Sequence, residues 1–298
     1  MRYSFFLLSI LITANVFSQQ DEQSSTYMFN PLQFNPAYAG SRGALTTTAV
    51  IRAQWLGIDG APRTQFISLH TPLAQRSLGV GFHVSNDKAG ALGRTTAYGD
   101  FVYSLKLSKK NRLNFGGSAG MDFVNLAFKD LYAKDPTEVQ YLTNASVNSF
   151  NAGAGLYFYN KRFYAGLSTP RLLKTNWNAA SLSKKHFFFS TGYVLPLNSV
   201  VDMKFSSLIK VVQNAPIVFD LNANVFFYKA FWIGGMFRYN ESAGLNIAYQ
   251  VKEQLMIGYA YDYTYNGLRK TATTGTHELM ITYDMNGGRV GYMSPRFF

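Results

Sequence analysis

The chain has no cysteine, few charged residues and, beyond residue 18, no long apolar run. Without cysteine there is no lipoprotein anchor, no thiolate metal site and no disulfide frame. Its four histidines (His70, His83, His186 and His277) show neither i, i+4 nor H-x-H spacing, so the sequence proposes no metal site. The acidic residues are few and dispersed, without a calcium-loop or paired-carboxylate pattern, and no cofactor is expected. Only 15% of residues are charged, which is low for a soluble surface, yet the net charge is +12. Nucleic-acid binding calls for Lys and Arg gathered on one face. Here they are spread along the chain, the densest groups being Lys109-Lys110, Lys161-Arg162 and Lys184-Lys185, so no nucleic-acid partner is expected. With no apolar stretch of 18 residues, any membrane crossing must be made of strands.

What the sequence does have is aromatic residues, 16% of the chain with 20 Tyr and 25 Phe, and period-two alternation. Near the end, Leu245, Ile247 and Tyr249, then Leu255, Ile257, Tyr259, Tyr261 and Tyr263, then Leu279, Ile281 and Tyr283 fall on one side of their segments. Asn246, Ala248, Gln250, Gly258, Ala260, Asp262, Glu278, Thr282 and Asp284 fall on the other. A strand sends successive side chains to opposite faces. Apolar sides that end in tyrosines, opposite sides that are small or polar, fit an outside facing lipid and an inside facing a lumen. About fourteen such segments follow from residue 44: 44–54, 63–70, 77–85, 94–107, 112–124, 150–160 and so on to 277–285. The even-numbered connections are short and polar (Ser108–Asn111, Asn160–Arg162, Pro196–Ser199, Tyr228–Lys229, Lys252–Glu253), and the long ones, 54–62, 125–149, 169–185 and 264–276, are all odd. This is the pattern of short periplasmic turns and long external loops. The fold expected is all-β, a transmembrane antiparallel barrel of about fourteen strands with both termini periplasmic.

Residues 1–18 read as a signal peptide, with Arg2, the apolar run Phe5–Ile12 and a small-residue site at Val16-Phe17-Ser18. Residues 19–43 form a separate N-terminal segment in which two Asn-Pro steps forbid a regular helix or central strand. Its aromatic content, with Phe29, Phe34, Pro36 and Tyr38, marks it for packing inside the lumen. The barrel then spans 44–285, and 286–298 is a tail ending in Phe297-Phe298, a terminal aromatic of the kind bacterial outer-membrane barrels commonly carry.

Parity turns Arg52, Asp100, Lys106, Asp122, Asp202, Lys204, Asp220, Arg238, Asp262, Glu278 and Asp284 inward. Mixed signs in a narrow lumen tend to pair and hold a plug; a hydrated channel whose wall tolerates charge is the other reading. Gly116-Gly-Ser118-Ala-Gly120 spells G-x-S-x-G, but within one continuing strand rather than a strand, turn and helix. His83 and Ser85 lie two apart on one strand, as in outer-membrane phospholipases, where imidazole activates the hydroxyl. Those enzymes continue with Asn-Gly where this chain has Asn86-Asp87, and parity turns this pair inward rather than to lipid. For a docked partner, the loops offer Trp55, Tyr132, Tyr141 and Trp177 as aromatic anchors, with Lys134, Lys174, Lys184 and Lys185 supplying charge. For Trp55 a place in the outer aromatic girdle is the favoured reading over a partner anchor.

Phe34-Asn-Pro-Ala-Tyr-Ala-Gly40, Arg52-Ala-Gln-Trp-Leu-Gly57, Gly60-Ala-Pro-Arg-Thr64, Gly79-Val-Gly81 leading to Ser85-Asn-Asp87 and Gly90, Gly166-Leu-Ser168 with Pro170, and His277-Glu278 together resemble the PorP/SprF proteins of the type IX secretion system of Bacteroidota. The resemblance implies a non-catalytic outer-membrane barrel for secretion, gliding or surface attachment. Its partners would be a secreted, adhesin-like protein with a type IX C-terminal targeting domain, other secretion components, and outer-membrane lipid. A general diffusion porin is the first alternative and a lipid hydrolase the second.

Overall fold

The computed structural model describes residues 23–73, 77–127, 144–173, 176–178, 181–182, 185–213, 215–265 and 273–285. Strands β1 (Leu45–Ala53), β2 (Arg63–Pro72), β3 (Leu78–Ala89), β4 (Leu92–Lys106), β5 (Arg112–Leu126), β6 (Ala145–Tyr159) and β7 (Phe163–Thr169) form the first half of the wall. After a two-stranded ribbon, β8 (Asn176–Asn178) and β9 (Ser181–Leu182), come β10 (His186–Pro196), β11 (Val201–Val212), β12 (Val218–Phe227), β13 (Phe231–Arg238), β14 (Ser242–Lys252), β15 (Leu255–Thr264) and β16 (Thr276–Met285). Fourteen antiparallel strands close into a barrel, neighbour to neighbour, and β1 seals against β16 from Leu45↔Met285 to Ala53↔His277.

The alternation decides which way each strand faces. In β16, Leu279, Ile281 and Tyr283 are 43%, 42% and 40% exposed, whereas Glu278, Met280 and Thr282 are 1%, 0% and 1%. The same holds for Phe187 and Phe189 against Phe188 and Ser190, and for Leu245 and Ile247 against Asn246 and Ala248. Grease therefore points out and polar groups point in, the reverse of a water-soluble sandwich and what a hydrocarbon surround requires.

The wall is uneven in height. β4, β5 and β6 each run 15 residues, against 9 for β1 and 10 for β15. The third connection, where the alternation alone leaves residues 86–93 unpaired, is a tight turn at Gly90-Ala91, and Gly90 adopts φ +58°. Ladder pairing continues past the apolar pattern there, from Ser85↔Thr96 up to Ala89↔Leu92, because Thr64, Asp87 and Arg94 are polar groups that a strand carries beyond the membrane as readily as a loop does.

Residues 24–42 run inside this wall. The stretch enters β1 at the short-turn end, where the Arg42 guanidinium meets Asp284 at 2.7 Å. Its first residues lie at the opposite end, where Ser25 N–H donates to Glu278 Oε2 at 2.9 Å, two residues into β16 from the long loop. Glu278 and Asp284 are six positions apart on one strand, roughly 20 Å of rise. Strand parity places the start of β1 and the end of β16 at the same end of the barrel, while the chain ahead of β1 begins at the other.

Candidate functional site

Two short 3₁₀ turns, Pro31–Gln33 and Pro36–Tyr38, shape the inner segment. Each is opened by Asn-Pro. Proline supplies a preset φ at the first helical position of each, and in the second turn the asparagine side chain also caps it. Asn35 Oδ1 accepts from Ala37 N–H at 3.0 Å while its Nδ2 donates to the Leu156 carbonyl at 3.0 Å, so one side chain both shapes the turn and ties it to the wall. Asn114 Nδ2 adds a bond to the Ala37 carbonyl at 2.9 Å.

The segment circles the inner wall as it descends. Ser24, Ser25 and Thr26 all donate to the Glu278 carboxylate, which Arg52 also grips at 2.9 Å. Arg52 reaches Asp262 at 3.1 Å as well, so β1, β15 and β16 converge on three residues of the segment. Lys204 of β11, 1% exposed, donates to the Met28 carbonyl at 3.1 Å, and its ammonium lies 5.4 Å from the Phe29 ring and 5.8 Å from Trp232. Phe29 meets Trp232 edge-on at 5.4 Å, Phe34 meets Phe188 at 5.6 Å, and Tyr38 meets Tyr157 at 5.5 Å. Phe29, Phe34, Pro36 and Tyr38 are all buried.

Wall glycines make this approach possible. A Cβ on Gly79 would lie 2.7 Å from the Ala39 carbonyl oxygen, and one on Gly116 or Gly155 would collide with Ala37 or Asn35. At the short-turn end Arg42 pairs with Asp284, which Thr46 Oγ1 also approaches at 2.6 Å.

Other inward charges pair across neighbouring strands. Arg238 holds Asp220 at 2.9 Å and Glu241 at 3.2 Å; Arg94 holds Asp122 at 2.8 Å, where Tyr98 also donates and Arg171 stands at 3.5 Å. His83 Nδ1 and Asp100 Oδ2 are 2.9 Å apart. The His83 ring is stacked between Phe66 and Tyr98, and Ser85 Oγ meets Thr96 Oγ1 at 2.8 Å. Asp202 is half-buried, and Lys106 is exposed on the rim. Gly116–Gly120 lies wholly within β5. Among the described residues no cluster of His, Asp or Glu is arranged to hold a metal.

Beside the segment, on the long-loop side, lies a cavity bounded by Gln23, Tyr27, Phe34, His83, Tyr98 and Lys210. Of the anchors read from the loops, Trp55 is half-buried with φ +50°, its backbone N–H donating to Thr276 Oγ1 at 3.1 Å. Lys185 is half-buried just before β10, and Trp177 falls on β8. Tyr132, Lys134, Tyr141, Lys174 and Lys184 lie outside the described residues. Sequence reading missed Ser24, Ser25, Thr26 and Arg42, which carry much of the bonding between segment and wall. Their only signal is a small polar cluster before an aromatic stretch.

No curated protein matches the chain. Among solved structures it is similar to the toluene transporter TbuX of Ralstonia pickettii (TM-score 0.51, 10% identity, 89% of this chain and 94% of that one). It is also similar to a FadL homologue of Pseudomonas aeruginosa (0.48, 10%, 87% and 94%) and to Omp33 of Acinetobacter baumannii (0.46, 11%, 82% and 99%). At these identities the likeness concerns the barrel fold alone. The sequence profile described as Type IX secretion system membrane protein PorP/SprF matches residues 16–283. The chain is thus an outer-membrane β-barrel belonging to the PorP/SprF family of type IX secretion system membrane proteins.

Proposed function

We propose that this barrel is a closed scaffold that holds or guides a secreted, adhesin-like surface protein, and that it neither conducts solutes nor catalyses a reaction. The observation that supports this reading is the packing of residues 24–42 along the inner wall, where Asn35 and Met28 are bonded to strands on different sides of the barrel. A barrel occupied by its own chain works at its ends and rim. The long-loop face, with Trp55, Trp177 and the stretches 125–149 and 169–185, is the docking surface, by the usual arrangement of aromatic anchors in a polar rim. The partner is a secreted protein with a type IX C-terminal targeting domain, and other secretion components approach from the short-turn side. No metal or cofactor takes part.

Conductance across planar bilayers tests closure. The intact chain is expected to give no large, steady openings, and a chain lacking residues 24–40 is expected to give them. Steady openings from the intact chain would make it a porin. Crosslinking on intact cells tests docking: recovery of a secreted partner should fall when residues 125–149 are deleted or Trp55→Ala is introduced, and unchanged recovery would remove that face from the reading.

Orientation is open to a clean experiment because the chain contains no cysteine. The long loops face outside in this proposal, which puts residue 23 outside rather than in the periplasm where the sequence reading expects the N-terminal end. Gln23→Cys and Asn240→Cys should therefore react with a membrane-impermeant maleimide on intact cells, and Ser108→Cys only after the outer membrane is opened. The converse pattern would invert the barrel. Labelling of Gln23→Cys together with Ser108→Cys would contradict the path of the segment itself.

A further inference from the structure

The short turn after β4 and the short turn after β6 touch, Asn160 Nδ2 donating to Asn111 Oδ1 at 3.2 Å. Lys106 faces Arg112 across the β4–β5 ladder, and Arg112 faces Tyr159 across β5–β6. Lys106, Lys109, Lys110, Arg112, Lys161 and Arg162, separated by up to 56 positions in sequence, therefore occupy one arc of the short-turn rim. All are exposed except Arg112, which is half-buried with Nη1 3.3 Å from Ser104 Oγ. Among the described residues no carboxylate forms an ion pair with Lys106, Lys109, Lys110, Lys161 or Arg162. Like charges at this density repel one another and call for a counter-charge from outside the chain.

Their height on the wall says where it comes from. Leu105 and Leu107, 39% and 51% exposed, and Tyr103 at 53% carry the lipid face up to the turn that holds Lys109 and Lys110. On the neighbouring turn Phe158 and Phe163, 6.1 Å apart, bracket Lys161 and Arg162. Because both turns are so short, the cations stand at the edge of the apolar band, where long side chains lay their stems on hydrocarbon and lift their heads to phosphate level. An acidic protein would have to reach into the headgroup layer to meet them; lipid is already there.

We propose that this arc binds the phosphate headgroups of anionic phospholipid. The claim concerns headgroup charge and does not depend on which side the long loops face; the orientation proposed above adds only that the leaflet is the periplasmic one.

The test uses the full-length barrel in mixed micelles of phosphatidylglycerol and phosphatidylcholine, with retained lipid counted by native mass spectrometry. Retention of phosphatidylglycerol over phosphatidylcholine is expected, and it should weaken as salt is raised. The variant Lys109→Gln, Lys110→Gln, Lys161→Gln, Arg162→Gln should lose that preference by roughly tenfold or more, since each cation near an anionic surface contributes to it. Arg63→Gln with Lys88→Gln, exposed cations at the other end, should keep it. All four substitutions lie in turns, and a heat-modifiable band on gels checks that the variant is folded. Indifference of the parent to headgroup charge, or equal retention by the fourfold variant, would overturn the proposal. Loss of an acidic protein partner from the variant without any lipid preference in the parent would replace it with a protein site.

Discussion

Glu278 accepts from Ser24, Ser25 and Thr26 and is gripped by Arg52, with less than 2% of its surface exposed. Removing one partner from a buried ionic cluster leaves the other charge uncompensated, so Glu278→Ala is expected to cost about 3–5 kcal/mol. Glu278→Gln, which keeps the shape and part of the bonding, should cost less. Urea unfolding of the refolded barrel in detergent measures both, and a loss below 1 kcal/mol for the alanine variant would show that the cluster does not hold the segment. At this scale the inward direction of Arg52, Asp262 and Glu278 was legible, because parity along a strand is a local property. Their partners were not. Ser25 and Glu278 stand 253 positions apart, and nothing in either neighbourhood names the other.

At the scale of the element, the strands were the most readable part, since each alternating stretch carries its own record of lipid on one side and lumen on the other. The errors lie where that record fades. β3 and β6 extend beyond their apolar residues, through Asn86-Asp87-Lys88 and from Ala145, because ladder bonds continue without grease to mark them. The inner segment was legible as aromatic and non-regular, but its course round the wall was not, since it depends on glycines from several strands. Gly116 is the sharpest case. Any side chain there meets the backbone of Ala37, so Gly116→Val should overpack the lumen by about 1–3 kcal/mol or push the segment off the wall. In the second outcome, conductance should rise in a barrel that still runs as folded on gels; an unchanged midpoint and a silent bilayer would show that the contact is easily relieved.

For the whole molecule, the outward apolar band sets where substitutions hurt. Ile247 lies midway along β14 and Val251 near its short-turn end, both facing out. Ile247→Arg is expected to cost about 2–4 kcal/mol and Val251→Arg about 0–1, following depth in the hydrocarbon. Unfolding from lipid vesicles gives both values, and equal costs would mean that the band is not centred on β14 as drawn. The basic rim is the clearest feature that only the assembled molecule reveals. Lys109-Lys110 and Lys161-Arg162 look dispersed along the chain and become neighbours once β5 and β6 pair.

The seat for Ser24, Ser25 and Thr26 is built from β1, β15 and β16, and that for Arg42 from β16. Residues 24–26 and Arg42 thus gain these partners only once the last strands are in place. Until the wall closes, the rings from Tyr27 to Tyr38 lack their full final surroundings. Seating of the lead and sealing of the cylinder are therefore coupled, because β16 supplies partners for both.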